Sequence, residues 1–157
     1  PRRARPDDLG ALFAIYSDPS AMRYWSPPPS PDLSVTKSTL DWLIAHNPLT
    51  YFVWEHSDGV IGAGGLYEGD EIGFILSPKY WRHGFRAEAL TATISYLFET
   101  SDLPQLTADA DPRNAASVGL LKHLGFLVTG TAQNTFFVND EWSDSVYLAL
   151  KRPDATP

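Results

Sequence analysis

Apolar residues recur at Leu9, Leu12, Phe13 and Tyr16, a spacing that predicts an amphipathic helix. Pro6-Asp7-Asp8 opens it with carboxylates at the positive end of its dipole, and Asp18-Pro19 stops it. Arg2 to Arg5 read as the end of a strand before it. Pro27-Pro28-Pro29 cannot be helix interior, and a second helix is expected over 32–46 with Val35, Leu40, Leu43 and Ile44 on its buried side. The pattern then changes to β-branched and aromatic runs over 50–56, 60–67 and 71–76, separated by Ser57-Asp58-Gly59 and Glu68-Gly69-Asp70 and ended by Ser77-Pro78. A long helix follows over 85–100, with Leu90, Ile94, Leu97 and Phe98 at core spacing, then a strand at 105–110. A helix over 114–124, broken by Gly125, precedes strands at 126–131, 135–138 and 145–150 with a turn at Asn139-Asp140. This order predicts an α/β (α+β) protein built on one sheet of mixed sense.

Composition narrows the chemistry. A chain of 157 residues, 43% hydrophobic and 13% aromatic without low-complexity blocks, suits a single folded domain over 1–157. No leader of basic and then apolar residues is seen, and no apolar run approaches spanning length, so a soluble, cytoplasmic protein without a membrane partner is expected. The absence of cysteine excludes disulfides, zinc-thiolate sites and thiol nucleophiles, and four scattered histidines have no metal-ligand spacing, so no metal is expected. A net charge of −7 with a pI near 4.9 argues against nucleic acid and favours cationic partners such as amines.

Two segments carry candidate chemistry. In the first, the strand at Glu71 ends in a polar loop, and a helix begins after Gly84 in Trp81-Arg82-His83-Gly84-Phe85-Arg86-Ala87. Unpaired N–H groups at such a helix start, with the dipole and Arg82, His83 and Arg86, form an anion site. No G-K-[ST] or G-x-G-x-x-G pattern accompanies it, which disfavours ATP and NAD. In the second segment, a helix opens on Asn114 with Ser117 one turn on. Asn114 also fits a plain N-cap.

In this order and spacing the segments resemble the GNAT superfamily, in particular the branch containing the ribosomal-protein N-terminal acetyltransferases. The matching residues are Glu71-Ile72-Gly73-Phe74-Ile75-Leu76, then Tyr80-Trp81-Arg82-His83-Gly84-Phe85-Arg86-Ala87-Glu88-Ala89, then Asn114 with Ser117, Leu121, Lys122, Gly125 and Phe126. The resemblance implies a mostly antiparallel twisted sheet flanked by helices, with a V-shaped cofactor cleft between two central strands. It implies acetyl-CoA as cosubstrate and no metal. Backbone groups of Phe74, Ile75 and Leu76 would pair with the pantetheine arm, and amides of Arg82, His83, Gly84, Phe85, Arg86 and Ala87 would hold the pyrophosphate. Asn114 would bond the pantetheine or approach the thioester, and Ser117 would lie near the sulfur.

Two residues depart from the family pattern. Arg86 stands where a small residue is usual, and Leu121 stands where many relatives carry a proton-donating tyrosine, leaving Ser117 or a water as the acid.

The activity implied is acetyl transfer to a primary amine, on a small molecule or a protein N-terminus, by direct attack in a ternary complex. The alternative is a non-catalytic acyl-CoA-binding module, and either a monomer or a homodimer fits. An alkylammonium has a pKa of roughly 10, so a base must take its proton. Glu71 leads as that base, with Asp109 and Asp111 as rivals. A backbone N–H near Phe74 or Ile75 would meet the oxyanion. Trp25 with its proline loop, and the hairpin from Thr135 to Trp142, are the expected acceptor contacts.

Overall fold

The computed structural model describes residues 1–25 and 27–153. Seven strands form one sheet in the order β1-β2-β3-β4-β5-β7-β6. They are β1 (Arg2–Arg3), β2 (Tyr51–His56), β3 (Gly59–Glu68), β4 (Glu71–Leu76), β5 (Gln105–Ala110), β6 (Leu127–Val138) and β7 (Glu141–Lys151). Every adjacent pair is antiparallel except β4 and β5, so the expected mixed, mostly antiparallel class is borne out. Helices α1 (Leu9–Tyr16) and α2 (Leu33–His46) precede β2, whereas α3 (Phe85–Thr100) and α4 (Ala115–His123) flank β5 in sequence. No helix among the described residues is long and apolar enough to cross a membrane.

Side chains alternate across a strand, so each central strand feeds two cores. Ile72 and Leu76 of β4 join Leu106 and Ala108 of β5 in a cluster with Leu90, Leu97 and Leu121 of α3 and α4. Ile75, on the opposite face, packs with Val53 and Ala63 against Leu12 and Ile15 of α1 and Leu40 and Leu43 of α2. Val35 was expected on the buried side of α2. Instead Thr36, Leu40 and Leu43 define that side, and Val35, one residue out of phase, is 44% exposed.

β4 and β5 are parallel but bridge only at Glu71 opposite Thr107. The Thr107 amide donates to the Asp70 carbonyl at 2.8 Å, and the Asp70 carboxylate accepts from the Thr107 hydroxyl and the Gln105 amide. Beyond this clamp each strand keeps its outer neighbour, β3 for β4 and β7 for β5, and the inner edges separate toward their C-terminal ends. The last two strands, expected as three segments, are one long hairpin. β6 is interrupted by an irregularity between Ala132 and Phe136, and its tip turns through Asn139 and Asp140, both left-handed.

The glycines of β3 make room for Trp54, which is 2% exposed. A Cβ at Gly64 would stand 2.5 Å from the Trp54 ring and 2.9 Å from the Phe74 Cβ. Gly64→Ala is expected to lower stability to urea by about 1–3 kcal/mol through overpacking. Gly119→Ala, in open space on α4, is expected to raise it by about 0.5–1 kcal/mol. Equal effects at the two positions would contradict the packing assigned to Gly64.

Candidate active site

The separation of β4 from β5 leaves part of the β4 backbone without a sheet partner. Ser77 N–H donates to Ile61 of β3, while the Asp70 carbonyl faces β5, so odd positions of β4 point their backbone groups to β3 and even positions to the gap. Phe74 and Leu76 therefore present N–H and C=O to the cleft. Ile75, expected to do the same, has its backbone engaged with Ala63 in the β3 ladder, so only its neighbours are available there. The Leu76 carbonyl already accepts from Trp81 Nε1 at 2.9 Å, which ties the following loop to the strand.

Two cavities meet in this cleft. A groove of about 390 Å³ runs along Phe74, Ile75 and Leu76 to Trp81 and Arg86 on one side and Arg113 to Ser117 on the other. Arg23, Arg86 and Arg113 line it, and no carboxylate does so among the described residues. The loop before α3 turns through Arg82 at φ 65° and Gly84 at φ 78°, and no side chain caps the helix, whose first internal bond runs from Glu88 N–H to the Gly84 carbonyl. The amides of Phe85, Arg86 and Ala87 thus remain available for an anion. Of this segment, only Trp81 and Arg86 line the groove; the Phe85 ring packs on His56 and His83, with centroids 5.0 and 5.8 Å away. Arg86 is half-buried, forms no ion pair among the described residues, and has its pKa pushed down by burial.

The second cavity, about 450 Å³, lies on the α1 and α2 side of the sheet. Glu71 and Asp109 share this face because Glu71 is in register with Thr107, and Asp109 lies two residues further along. Burial, and then the charge of Asp109, raise the Glu71 pKa above the usual carboxylate range. Burial also raises Asp109, with the Ser145 hydroxyl opposing it. Asp111 behaves differently: burial acts upward, but hydrogen bonds from Arg113 at 2.7–3.2 Å prevail and lower its pKa. Its charge is matched, and Arg113 also reaches Glu141 at 2.8 Å, linking the end of β5 to the tip of the β6–β7 hairpin.

Tyr24, Trp25, Phe74, Asn114 and Ser117 line both cavities. Asn114 caps α4, its carbonyl oxygen accepting from Ser117 N–H at 3.2 Å, so the capping and wall positions coincide in one residue. Ser117 is 8% exposed at this junction, and Leu121 is sealed at 1% exposure behind it.

The acetyltransferase (GNAT) domain family model matches residues 2–127. The chain belongs to the GNAT acetyltransferase family. The [ribosomal protein uS5]-alanine N-acetyltransferase of Escherichia coli is 34% identical over 93 residues, spanning 59% of this chain and 48%, about half, of the relative. Among solved structures, spermidine N-acetyltransferase from Vibrio cholerae in complex with CoA and spermine superposes with a TM-score of 0.85 at 21% identity, covering 96% of this chain and 94% of that one. A putative acetyltransferase from Salmonella typhimurium with its cofactor acetyl-CoA gives 0.81 at 22% identity, covering 99% and 95%. The resemblance read from the three motifs is thereby borne out.

Among the residues that line the two cavities, Tyr67 and Arg113 were missed by sequence reasoning. Tyr67 is the extra residue of a bulge in β3, since Leu66 pairs with Ile72 and Glu68 with Glu71, and a bulge re-aims a side chain without a pattern signal. It borders Glu71, and burial followed by the charges of Glu71 and Glu68 raises its pKa. For Arg113 a signal existed, the acid and base two residues apart at the end of a strand.

The buried carboxylates should weaken the fold. Between the ordinary carboxylate pKa near 4 and the raised folded value, the native state binds more protons than the unfolded one, so stability falls as pH rises through that window. Asp109→Asn is expected to raise the melting temperature at pH 7, with the gain shrinking as the pH is lowered toward about 4. A carboxyl titration followed by NMR should show the Glu71 pKa falling in the same variant. A lower melting temperature at pH 7, or an unmoved Glu71 titration, would contradict this electrostatic picture.

Proposed function

We propose that this chain, as one domain over residues 1–157, is an acetyl-CoA-dependent N-acetyltransferase that moves an acetyl group to a primary amine by direct attack in a ternary complex. The observation that carries the reading is the opposite charge of two cavities sharing one wall. One is lined by arginines without carboxylates, the other by carboxylates without lysine or arginine among the described residues. A phosphate-bearing donor suits the first and an ammonium the second. Solved structures of the same fold that hold acetyl-CoA, or CoA with spermine, agree with a phosphate-bearing donor beside an ammonium acceptor.

The groove fits coenzyme A on its own chemistry. A half-buried guanidinium without an ion-pair partner among the described residues and an uncapped helix start suit a pyrophosphate, and the open edge at Phe74 and Leu76 suits the amides of a pantetheine arm. Acetyl-CoA supplies an acetyl group activated as a thioester. Glu71, kept basic by its raised pKa, takes one proton from the ammonium and later gives it to solvent. The amine nitrogen then forms an N–C bond to the acetyl carbon as the C–S bond breaks. The second proton lost by nitrogen neutralises the departing thiolate through Ser117 or water, Leu121 having none to give. The Phe74 N–H, directed into the cleft, is the donor for charge developing on the carbonyl oxygen. Asp111, neutralised by Arg113, is a poorer base than Glu71 or Asp109.

Arg86→Ala is expected to weaken CoA binding about 10–100-fold by calorimetry, the loss for a hydrogen-bonded charge of about 1.5–3 kcal/mol. Tighter or unchanged binding would remove Arg86 from the phosphate site. With amines supplied and thiol release followed, Glu71→Gln is expected to lower kcat/KM by about 10²–10⁴-fold and to abolish an acidic limb centred above the ordinary glutamate range. Binding of CoA without thiol release for any amine would indicate a non-catalytic acyl-CoA module instead.

A further inference from the structure

Resting on the proposed activity, we propose that the acceptor is a primary amine with a single positive charge on an apolar or aromatic body, and not a polyamine. The acceptor cavity, at about 450 Å³, has room for a small molecule whole, yet at one place only does it bring two unmatched carboxylates together. Glu71 and Asp109 lie together on the sheet floor, beside the wall shared with the donor groove. The other two carboxylates on the lining stand apart from this pair. Asp111 is held by Arg113, and Asp144 is a single exposed charge on the hairpin, accepting from Asn134 N–H at 2.9 Å and screened by water.

The remaining walls are mainly aromatic and aliphatic, with uncharged hydroxyls such as those of Thr39 and Ser143 between them. Trp25 meets Tyr16 edge to face at 6.1 Å, and Trp42 and Val35 of α2 line the cavity together with Phe136 and Val138 of β6. An aromatic face attracts a cation by about 0.5–2 kcal/mol, whereas leaving an ion desolvated without a counter-charge costs several kcal/mol. The second and third ammonium groups of a polyamine would find only the screened charge of Asp144 along these walls, while giving up part of their hydration against Trp42, Val35 and Phe136. An aromatic ring or alkyl chain would instead bury there favourably, at about 25 cal/mol per Å² of apolar surface. Phe136 reaches the cavity because the irregularity between Ala132 and Phe136 bends β6, so this wall is a consequence of the hairpin's geometry.

The test compares kcat/KM, by thiol release with acetyl-CoA, for phenylethylamine, tryptamine, spermidine and an alanine-initiated peptide. The expected result is a preference of at least about tenfold, or about 1.4 kcal/mol, for the two aromatic monoamines. Phe136→Asp should shift the spermidine-to-tryptamine ratio upward by a similar factor while CoA affinity, read by calorimetry, stays unchanged. Preference for spermidine or for the peptide overturns the acceptor assignment while leaving the N-acetyltransferase reading intact. Thiol release with none of the four, despite CoA binding, overturns both.

Discussion

The organisation of this protein depends on two parallel strands that touch at one place and then separate. A sheet normally satisfies its backbone by pairing every strand with its neighbours, and the interior of a sheet leaves no room for a ligand. Here the clamp of Asp70 on Thr107 and Gln105 holds β4 to β5 at one end, while β3 and β7 hold their outer edges. The inner edge of β4 is left with polar groups facing a cleft, and an unpaired backbone edge of this kind is a binding surface for another amide chain. The uncapped start of α3 and the capped start of α4 converge on the same opening, so free helix amides and a wall-forming cap are brought together by the same separation.

Charge is sorted across the sheet by strand alternation. Glu71 and Asp109 fall on the α1 and α2 face because they are odd-numbered residues of two strands in register, while the even positions build the apolar core beneath α3 and α4. Two carboxylates near each other in a partly dry cavity raise one another's affinity for a positive charge. They do so at a cost to folding, and the proposed roles in binding and proton transfer would account for that cost. Arg113 limits the effect by matching Asp111 and by securing the hairpin through Glu141, so that the acidic floor is concentrated in a single pair.

Much of this was legible from residue order. The bounds of β4, α3 and β5 follow directly from periodicity and from the breakers around them, because each is a regular element with strong local signals. The three motifs marked the residues that border the arginine-lined groove, the proposed donor side, since binding through backbone amides demands glycine and a helix start at set spacing. The acceptor side was less legible. Trp25 and the terminal hairpin were expected there and do line the cavity, but Tyr67 owes its place to a bulge and Phe136 to an irregular register, which no pattern of polar and apolar residues encodes.

Local sequence by itself determined the elements, their order and the family, because capping, periodicity and turn chemistry act over a few residues. Tertiary structure decided which of these groups meet. The backbone of Ile75 is spent on β3 while that of Phe74 is free, and Val35 is left on the open wall of the cavity while Thr36 is buried. Asp109 joins Glu71 while Asp111 is given to Arg113. Each of these outcomes depends on register between strands distant in sequence, and a shift of one residue would reverse the face that every side chain presents.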